Sequence, residues 1–174
     1  MIKTASFFTQ LILIATIFLA GGCADIRPIW VGQAELDTLT LYFSEPVEFQ
    51  IRFSHPEPEV NTALEFALTY DQSINQSSIP LFMTLEDRET HRVTEYKADL
   101  LIKQDGQWLG YPVGNEVDYT VNQIVLKDLS LKPGQNYTLK IFANDEEEEE
   151  IYGIIRLGAR LYLSSELSTE EVED

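Results

Sequence analysis

The chain has one cysteine, Cys23, in 174 residues, so an internal disulfide framework is excluded. Histidine is nearly as scarce, with only His55 and His91, and neither has the spacing of a zinc-binding pair. The sequence also lacks the Gly-x-Ser-x-Gly motif of hydrolases and a glycine loop that would hold phosphate. These absences predict a chain without a cofactor, and without the common signatures of catalysis.

Both histidines lie in polar segments. His55 stands between Ser54 and Pro56 in a turn, and His91 follows a run of charged residues. We interpret both as solvated loop residues. A Ser-His-Asp arrangement assembled from distant strands is the alternative that a sequence leaves open. We expect a protein that is not an enzyme.

Basic residues are few: 12 Lys and Arg stand against 29 Asp and Glu, for a net charge of −17. Such a surface repels phosphate backbones and anionic lipid headgroups. The composition therefore argues against a nucleic-acid partner. Contact with a membrane would have to come from a covalently attached lipid.

A long apolar run occurs near the N-terminus, from Phe7 to Leu19. It is shorter than the roughly 20 residues that a transmembrane helix needs. Lys3 precedes it and the small residues 20–22 follow it, as in an export signal peptide. We predict a signal peptide over residues 1–22.

Cys23 directly follows that segment, and Leu19-Ala20-Gly21-Gly22-Cys23 resembles the lipobox of bacterial lipoproteins, in which the thiol is acylated. We predict that Cys23 carries lipid and attaches the protein to the membrane. Ala24 follows it, rather than the aspartate that retains many lipoproteins of diderm bacteria in the inner membrane. The outer membrane is the expected location, and both of its faces are left open.

Apolar residues downstream alternate with a period of two, which is typical of half-buried strands. The clearest runs are Val47-Phe49-Ile51-Phe53, Leu64-Phe66-Leu68-Tyr70, Ile79-Leu81-Met83-Leu85, Tyr96-Ala98-Leu100-Ile102, Val117-Tyr119-Val121 with Ile124-Leu126, Tyr137-Leu139-Ile141, Ile155-Leu157-Ala159-Leu161, and an earlier candidate, Leu39-Leu41-Phe43. Asp105-Gly106, between two such runs, predicts a tight hairpin.

The pattern predicts an all-β protein, a two-layer antiparallel β-sandwich of the jelly-roll or immunoglobulin-like kind, with a closed barrel as the alternative. The expected organisation is a signal peptide (1–22), a lipidated tether (23–35), the sandwich domain (36–163) and an acidic flexible tail (164–174).

Two segments resemble cation sites. Asp71-x-Ser73-x-Asn75 begins like a calcium loop but has Gln76 in the place of its glycine and Phe82 in the place of its final glutamate. The acidic run 145–150 has six consecutive carboxylates, and we favour a solvated loop over weak cation binding there. We therefore expect no metal site.

Three aromatic residues, Trp30, Trp108 and Tyr111, suggest a surface that stacks on sugar rings, or else side chains that pack within the fold. Trp108 follows the Asp105-Gly106 turn, which favours packing across the hairpin. For the three aromatic residues together, carbohydrate binding is left open as an alternative.

Four segments in the second half share their order and spacing with a known family: 79–83 (Ile-Pro-Leu-Phe-Met), 105–110 (Asp-Gly-Gln-Trp-Leu-Gly), 131–139 (Leu-Lys-Pro-Gly-Gln-Asn-Tyr-Thr-Leu) and 153–161, which runs from Gly-Ile to Gly-Ala-Arg-Leu. They resemble the gliding-motility-associated lipoprotein GldH family of Bacteroidota, over about residues 45–163. The acidic run 145–150 departs from the mixed-charge loop of that family.

The resemblance implies a non-enzymatic, lipid-anchored envelope component associated with gliding motility or the linked secretion machinery, with envelope proteins as partners. It supplies no catalytic residues, and Cys23 is the only site residue it implies. The alternative from a different class is a surface sandwich that binds carbohydrate or another ligand.

Overall fold

The computed structural model describes residues 26–36, 38–114, 118–144 and 150–167. Strands make up 65% and helix 3% of them, so the predicted all-β class is confirmed. The strands are β1 (Trp30–Glu35), β2 (Thr40–Tyr42), β3 (Val47–Ile51), β4 (Val60–Asp71), β5 (Ser78–Asp87), β6 (Val93–Leu101), β7 (Lys103–Gln104), β8 (Gln107–Trp108), β9 (Tyr111–Val113), β10 (Asp118–Leu131), β11 (Tyr137–Ala143), β12 (Glu150–Tyr152) and β13 (Ile154–Leu163), and one helical turn, α1 (Ser164–Leu167), follows.

Two antiparallel sheets form the layers of a β-sandwich, as the sequence predicts. One sheet has the strand order β1-β13-β4-β10-β9 and the other has the order β3-β11-β5-β6. Two short ribbons, β12-β2 and β7-β8, complete the pairing. Because the sheets are separate, the closed barrel does not apply.

Alternation within the central strands builds the core. The inward side chains of β4 are almost completely buried, and those of β5 and β11 face them with the same period of two. The predicted core positions of these three strands are all buried: Leu64, Phe66, Leu68, Tyr70, Ile79, Leu81, Met83, Leu85, Tyr137, Leu139 and Ile141. The period-two pattern therefore identifies the central strands correctly.

The predicted phase of the last strand is wrong at its start. Ile154 is buried, whereas Ile155 is only partly buried. A register shift between Ile154 and Arg156, opposite β4, inserts one residue and reverses the alternation. Leu157 and Ala159 lie beyond the shift and are buried as expected.

The first candidate strand is also shorter than predicted. β2 contains only Thr40–Tyr42, with Leu41 in the core. Leu39 has a positive φ of 54°, which ends the extended backbone on one side. Phe43 follows the strand and is 56% exposed, so its expected inward position is wrong.

β10 is one long strand rather than two short apolar runs. Register shifts against β4 lie between Ile124 and Leu126 and between Leu126 and Leu129. These irregularities leave Ile124 and Leu126 half-buried. Val117, at the predicted start of the strand, lies outside the described residues.

The expected tether is partly strand. β1 pairs along its full length with β13, from Trp30 opposite Leu161 to Glu35 opposite Arg156. The sandwich therefore begins before the predicted boundary at residue 36, while residues 23–25 lie outside the described part. The partly buried Trp30 indole packs roughly perpendicular to the Phe49 ring, with ring centroids 6.1 Å apart, which helps to hold this segment on the domain.

The predicted acidic tail begins with α1 rather than an irregular segment, and residues 168–174 are outside the described ranges. Across residues 26–36, 38–114, 118–144 and 150–167, no helix combines the length and the hydropathy needed to cross a bilayer.

The hairpin at Asp105-Gly106 has the predicted geometry. Both central residues have positive φ, 51° for Asp105 and 78° for Gly106, as a type I′ turn requires. Lys103 pairs with Trp108 on either side of it. The turn therefore fixes the register that brings the indole back onto the sandwich.

Candidate functional site

The predicted lipidation site, Cys23, lies outside the described residues, and lipidation stays a prediction. Residues 145–149 of the acidic run also lie outside them. Glu150, the last carboxylate of the run, is exposed at the start of β12 opposite Tyr42.

The two histidines occupy separate exposed turns. His55 accepts a hydrogen bond from the backbone amide of Glu57 through Nδ1, at 3.3 Å. The His91 side chain is 76% exposed, and its Nδ1 lies 3.2 Å from a carboxylate oxygen of Glu86. Both environments are those of solvated turn residues, as predicted from the sequence.

The turn before His91 is ordered by Asp87. The backbone amide of Glu89 donates to the Asp87 carboxylate at 2.9 Å, and this bond holds the pKa of Asp87 below its usual value. A second bond, from the amide of Thr90, lies at 3.3 Å. The carboxylate is therefore engaged in shaping the turn.

The segment that resembled a calcium loop is a local turn. The Asp71 carboxylate accepts a hydrogen bond from the backbone amide of Ser73 at 2.7 Å. Ile74 then turns inward and is 2% exposed. Among the residues described by the structure, no group of three or more His, Cys, Asp or Glu side chains is placed to hold a metal ion.

Trp108 packs across the hairpin, as the sequence favoured. Its ring centroid lies 5.6 Å from that of Tyr70 and 6.1 Å from that of Tyr119, and the Lys103 ammonium sits 3.8 Å above it. Lys103 also donates to the carbonyl oxygen of Ile74 at 2.9 Å. This aromatic cluster therefore joins the hairpin to the five-stranded sheet.

Tyr70 is the buried centre of that cluster, with an exposed fraction of 0%. Burial, and to a lesser degree the neighbouring Tyr119, raises the pKa of Tyr70 to about 12. The phenol therefore stays protonated in the folded protein well above neutral pH. Its position, closed off by protein, assigns it a structural role.

Tyr111 alone of the three candidate aromatic side chains is well exposed, at 54%, on the edge strand β9. Other exposed aromatic side chains, Phe43 and Tyr152, belong to the region of the β2-β12 ribbon. These side chains lie on different strands and do not line up into one row along the five-stranded sheet.

The outer face of the five-stranded sheet carries two arginines paired with acids. Arg156 donates through Nη2 to the carboxylate of Glu35 at 2.9 Å, and Arg160 donates through Nη1 to that of Glu65 at 2.9 Å. Tyr162 donates to the same Glu65 carboxylate at 3.3 Å. The charge on this face is therefore locally balanced.

A shallow groove of about 210 Å³ runs across this face. Gly158 and Ala67, opposite each other on β13 and β4, form its low part because they have the smallest side chains on the face. The Thr69 and Thr120 hydroxyls hydrogen-bond each other at 2.9 Å beside it. The Nε–H of Arg156 is buried without a hydrogen-bond partner among the described atoms.

A larger cleft, of about 400 Å³, lies between the two sheets, where the first half of β6 faces the second half of β10. Its apolar lining includes Leu85, Tyr96, Leu126 and Leu129. Here β6 is the last strand of its sheet, so the cleft follows an open strand edge.

Gln123 closes one end of that edge. Its side-chain oxygen accepts a hydrogen bond from the backbone amide of Leu101 at 3.0 Å, and its side-chain nitrogen donates to the carbonyl oxygen of Asp99 at 3.3 Å. The carboxamide thus bonds β6 as the peptide group of a neighbouring strand would. Beyond Gln123, the cleft separates the two strands.

Sequence reasoning missed both the cleft and Gln123. The only local sign was the interrupted alternation between Ile124 and Leu131, where the bulges of β10 lie. A glutamine at a polar position of a strand is common, so nothing in the sequence indicates that the Gln123 side chain bonds to the backbone of a strand in the other sheet. The outer-face groove, formed by residues from several strands, gave no signal either.

The described residues form an all-β sandwich in which the edge of β6 is open beside a cleft. No protein-family model matches the sequence, and no curated protein matches it.

Several solved structures align at low similarity. They include a CocE/NonD family hydrolase from Staphylococcus aureus (10% identity, TM-score 0.35), a mitogen from Yersinia pseudotuberculosis (10% identity, TM-score 0.32) and Eiger TNF from S. frugiperda (8% identity, TM-score 0.33). The alignments cover 79%, 79% and 78% of this chain, and 31%, 87% and 87% of the other proteins. The chain thus spans 31% of the length of the hydrolase. Similarity at this level assigns no activity.

Proposed function

We propose that this chain is a lipid-anchored, non-enzymatic envelope protein that acts by binding other envelope proteins. Acylation of Cys23 would attach it to the outer membrane, and the resemblance to the GldH family suggests an association with gliding motility or the linked secretion machinery. The single observation that carries a binding role is the open edge of β6 beside a cleft of about 400 Å³ whose lining is partly apolar. Unpaired strand edges are ready sites for pairing with another chain.

The placement of the ionisable side chains supports a role other than catalysis. His55 and His91 lie in different exposed turns, and the carboxylate near His91 belongs to Glu86 on the same hairpin. The most perturbed phenol, that of Tyr70, is enclosed by the aromatic cluster. Perturbed pKa values also occur at structural positions, so the raised pKa of Tyr70 is consistent with a structural role.

The carbohydrate-binding alternative has weaker support. A sugar-binding face commonly presents several aromatic rings on one surface, but here Tyr111 lies on β9, whereas Phe43 and Tyr152 lie near the β2-β12 ribbon. The groove beside Tyr111 is shallow, at about 210 Å³. We therefore place the protein-binding role first.

The test is crosslinking of the full-length, lipidated protein in its own envelope, followed by purification and identification of the attached proteins. We expect the same few envelope proteins in repeated purifications, and their loss when Cys23→Ser prevents anchoring. Recovery of no protein above the level of an unrelated lipoprotein, together with binding to purified surface polysaccharide, would favour the alternative.

A further inference from the structure

The main-chain groups of β6 divide into two sets. β6 pairs with β5 without a register shift. At one end the carbonyl oxygen of Arg92 accepts from the amide of Asp87 at 2.9 Å, and at the other the amide of Ile102 donates to the carbonyl oxygen of Ser77 at 2.9 Å. Because successive residues of a strand direct their main-chain groups to opposite sides, the even-numbered residues face β5.

The odd-numbered residues therefore face the other edge. Asp99 and Leu101 use that side to bond the Gln123 carboxamide, which agrees with this assignment. Val93, Glu95 and Lys97 direct their N–H and C=O groups the same way, and no strand in the described part of the chain pairs with them. The edge from 93 to 97 is thus open for pairing.

The cleft beside this edge would receive side chains. Thr94 and Tyr96 point inward from β6 and line it, together with Leu126 and Leu129 of β10. A strand added to β6 would direct every second side chain to the same side as Tyr96, and so into the cleft. Small or branched apolar side chains suit a cleft of about 400 Å³ with this lining.

The charges at the rim favour an acidic group on the added strand. Arg92 and Lys132 line the cleft of a chain whose net charge is −17. Three carboxylates also line the cleft: Asp87 accepts from backbone amides of its own turn and interacts with Lys132, Glu59 accepts from the Ser130 hydroxyl, and Asp128 follows Lys127 on β10. Among the described residues neither Arg92 nor Lys132 forms a salt bridge, so a carboxylate brought by a partner would meet two cations there.

We propose that β6 binds an extended segment of a partner protein by strand addition along residues 93–97. The segment places alternate apolar side chains in the cleft and presents a carboxylate to Arg92 and Lys132. Strand addition is a recurring mode of peptide recognition, in which main-chain bonds supply affinity and side-chain pockets supply specificity. The inference rests on the proposed function, since it specifies how an envelope partner is held.

A defined peptide tests the pairing. The probe is a synthetic peptide in which valine alternates with threonine and one terminal valine, on the side that faces the cleft, is replaced by aspartate; it is added at millimolar concentration to the full-length lipidated protein in detergent. We expect amide exchange at Glu95 and Lys97 to slow by about tenfold. Unchanged exchange at these amides would overturn the inference.

Two variants at one position provide the matched comparison. Glu95→Pro removes an N–H that faces the open edge and is not used by β5, a position where an edge strand tolerates proline. Glu95→Ala keeps that N–H. We expect Glu95→Pro to weaken peptide binding by about tenfold relative to Glu95→Ala. Equal binding by the two variants would contradict strand addition.

If Glu95→Pro does not fold, the same peptide with alternate amides N-methylated replaces it, tested on the wild-type protein. Methylation of the peptide amides that would face β6 should abolish the protection of the Glu95 and Lys97 amides from exchange. Methylation of the peptide amides that would face away from β6 should leave that protection unchanged. Equal protection by both peptides would overturn the inference.

Photo-crosslinking in the native envelope separates this inference from the proposed function. A photoreactive amino acid replaces Lys97 on β6 or, as the control, Tyr111 on the other sheet. Adducts from position 97 that map to an alternating apolar segment of a partner, and that Glu95→Pro removes, support strand addition.

The other outcomes each have one meaning. Adducts with a partner from position 111 alone would support the proposed function, but they would overturn the role of β6 in binding. Adducts between two copies of this chain through position 97 would show that the edge serves self-association instead. No adduct from either position would count against both the proposed function and this inference.

Discussion

The phenolic hydroxyl of Tyr70 donates a hydrogen bond to the carbonyl oxygen of Leu109, at 2.7 Å. The same hydroxyl lies 3.1 Å from the carbonyl oxygen of Ile102, so one side chain of β4 holds both flanks of the Asp105-Gly106 hairpin. The Ile102 carbonyl also accepts from the amide of Leu109 at 2.9 Å, so it keeps a partner if the phenol is lost. Among the described residues, no backbone amide donates to the carbonyl oxygen of Leu109, so that oxygen would lose its donor. Tyr70 therefore connects the hairpin to the central strand of the sheet.

Tyr70→Phe should lower the free energy of unfolding by about 1–3 kcal/mol, because the ring remains but the partly buried carbonyl of Leu109 loses its donor. Denaturant unfolding of the purified protein measures the loss. The control is Tyr111→Phe, which removes an exposed hydroxyl and should change stability by less than about 0.5 kcal/mol. Equal stability of Tyr70→Phe and wild type would show that the hairpin is held by its apolar contacts alone.

The contribution of Tyr70 should also depend on alkaline pH. Its pKa rises from 10.0 to about 12 on folding, so the folded state holds the proton more tightly than the unfolded state. The resulting stabilisation is fully present below pH 10 and is lost as the pH rises toward about 12. We expect the stability difference between wild type and Tyr70→Phe to shrink across that interval.

Unfolding of the two proteins in parallel across this range measures the effect. Tyr137 and Tyr162, whose pKa values burial also raises, are common to both proteins and cancel in the comparison. A difference that stays constant to pH 12 would mean that Tyr70 titrates alike in the folded and unfolded states.

Gly110 should tolerate alanine less well than Gly106. Both glycines have positive φ, 87° and 78°. A Cβ at Gly106 would meet open space, whereas a Cβ at Gly110 would overlap the backbone carbonyl of Thr120. We expect Gly106→Ala to cost about 1–2 kcal/mol from backbone strain alone and Gly110→Ala to cost clearly more.

Thermal and denaturant unfolding of these two variants give the comparison directly. Since the backbone strain is similar, the difference isolates the close approach of Gly110 to β10. Equal losses would show that the hairpin shifts away from β10 at little cost.

Cys23→Ser should abolish incorporation of labelled fatty acid in growing cells and leave uncleaved precursor, because the thiol is the predicted acylation site. Ala24→Ser, beside it, should be labelled and processed normally. Gel migration and radiolabel measure both results. Labelled lipid on the Cys23→Ser protein would disprove the prediction.

Much of the core was predictable because it follows one rule. In β4 and β5, inward apolar side chains at every second position are the residues that the structure buries. The hairpin was predictable for a different reason, since Asp105-Gly106 is a local signal for a turn with two positive φ values. Both features depend on a few neighbouring residues.

The errors have a common cause. The bulge beside Ile154 exists only opposite β4, and β1 becomes a strand only because β13 offers it an edge. Gln123 bonds β6 across 22 residues of sequence. These features are set by which strands meet in space, and local patterns do not contain that information.

The sequence alone predicts the all-β class, the central strands and the tight hairpin, because side-chain alternation and turn chemistry are short-range properties. It also supplied the prediction of lipid attachment at Cys23. That β1 belongs to the sandwich, and that β6 ends its sheet beside a cleft, is seen only once the chain is folded. The order of strands in a sheet depends on packing between distant segments, so the open edge and the surface beside it become visible only in the folded chain.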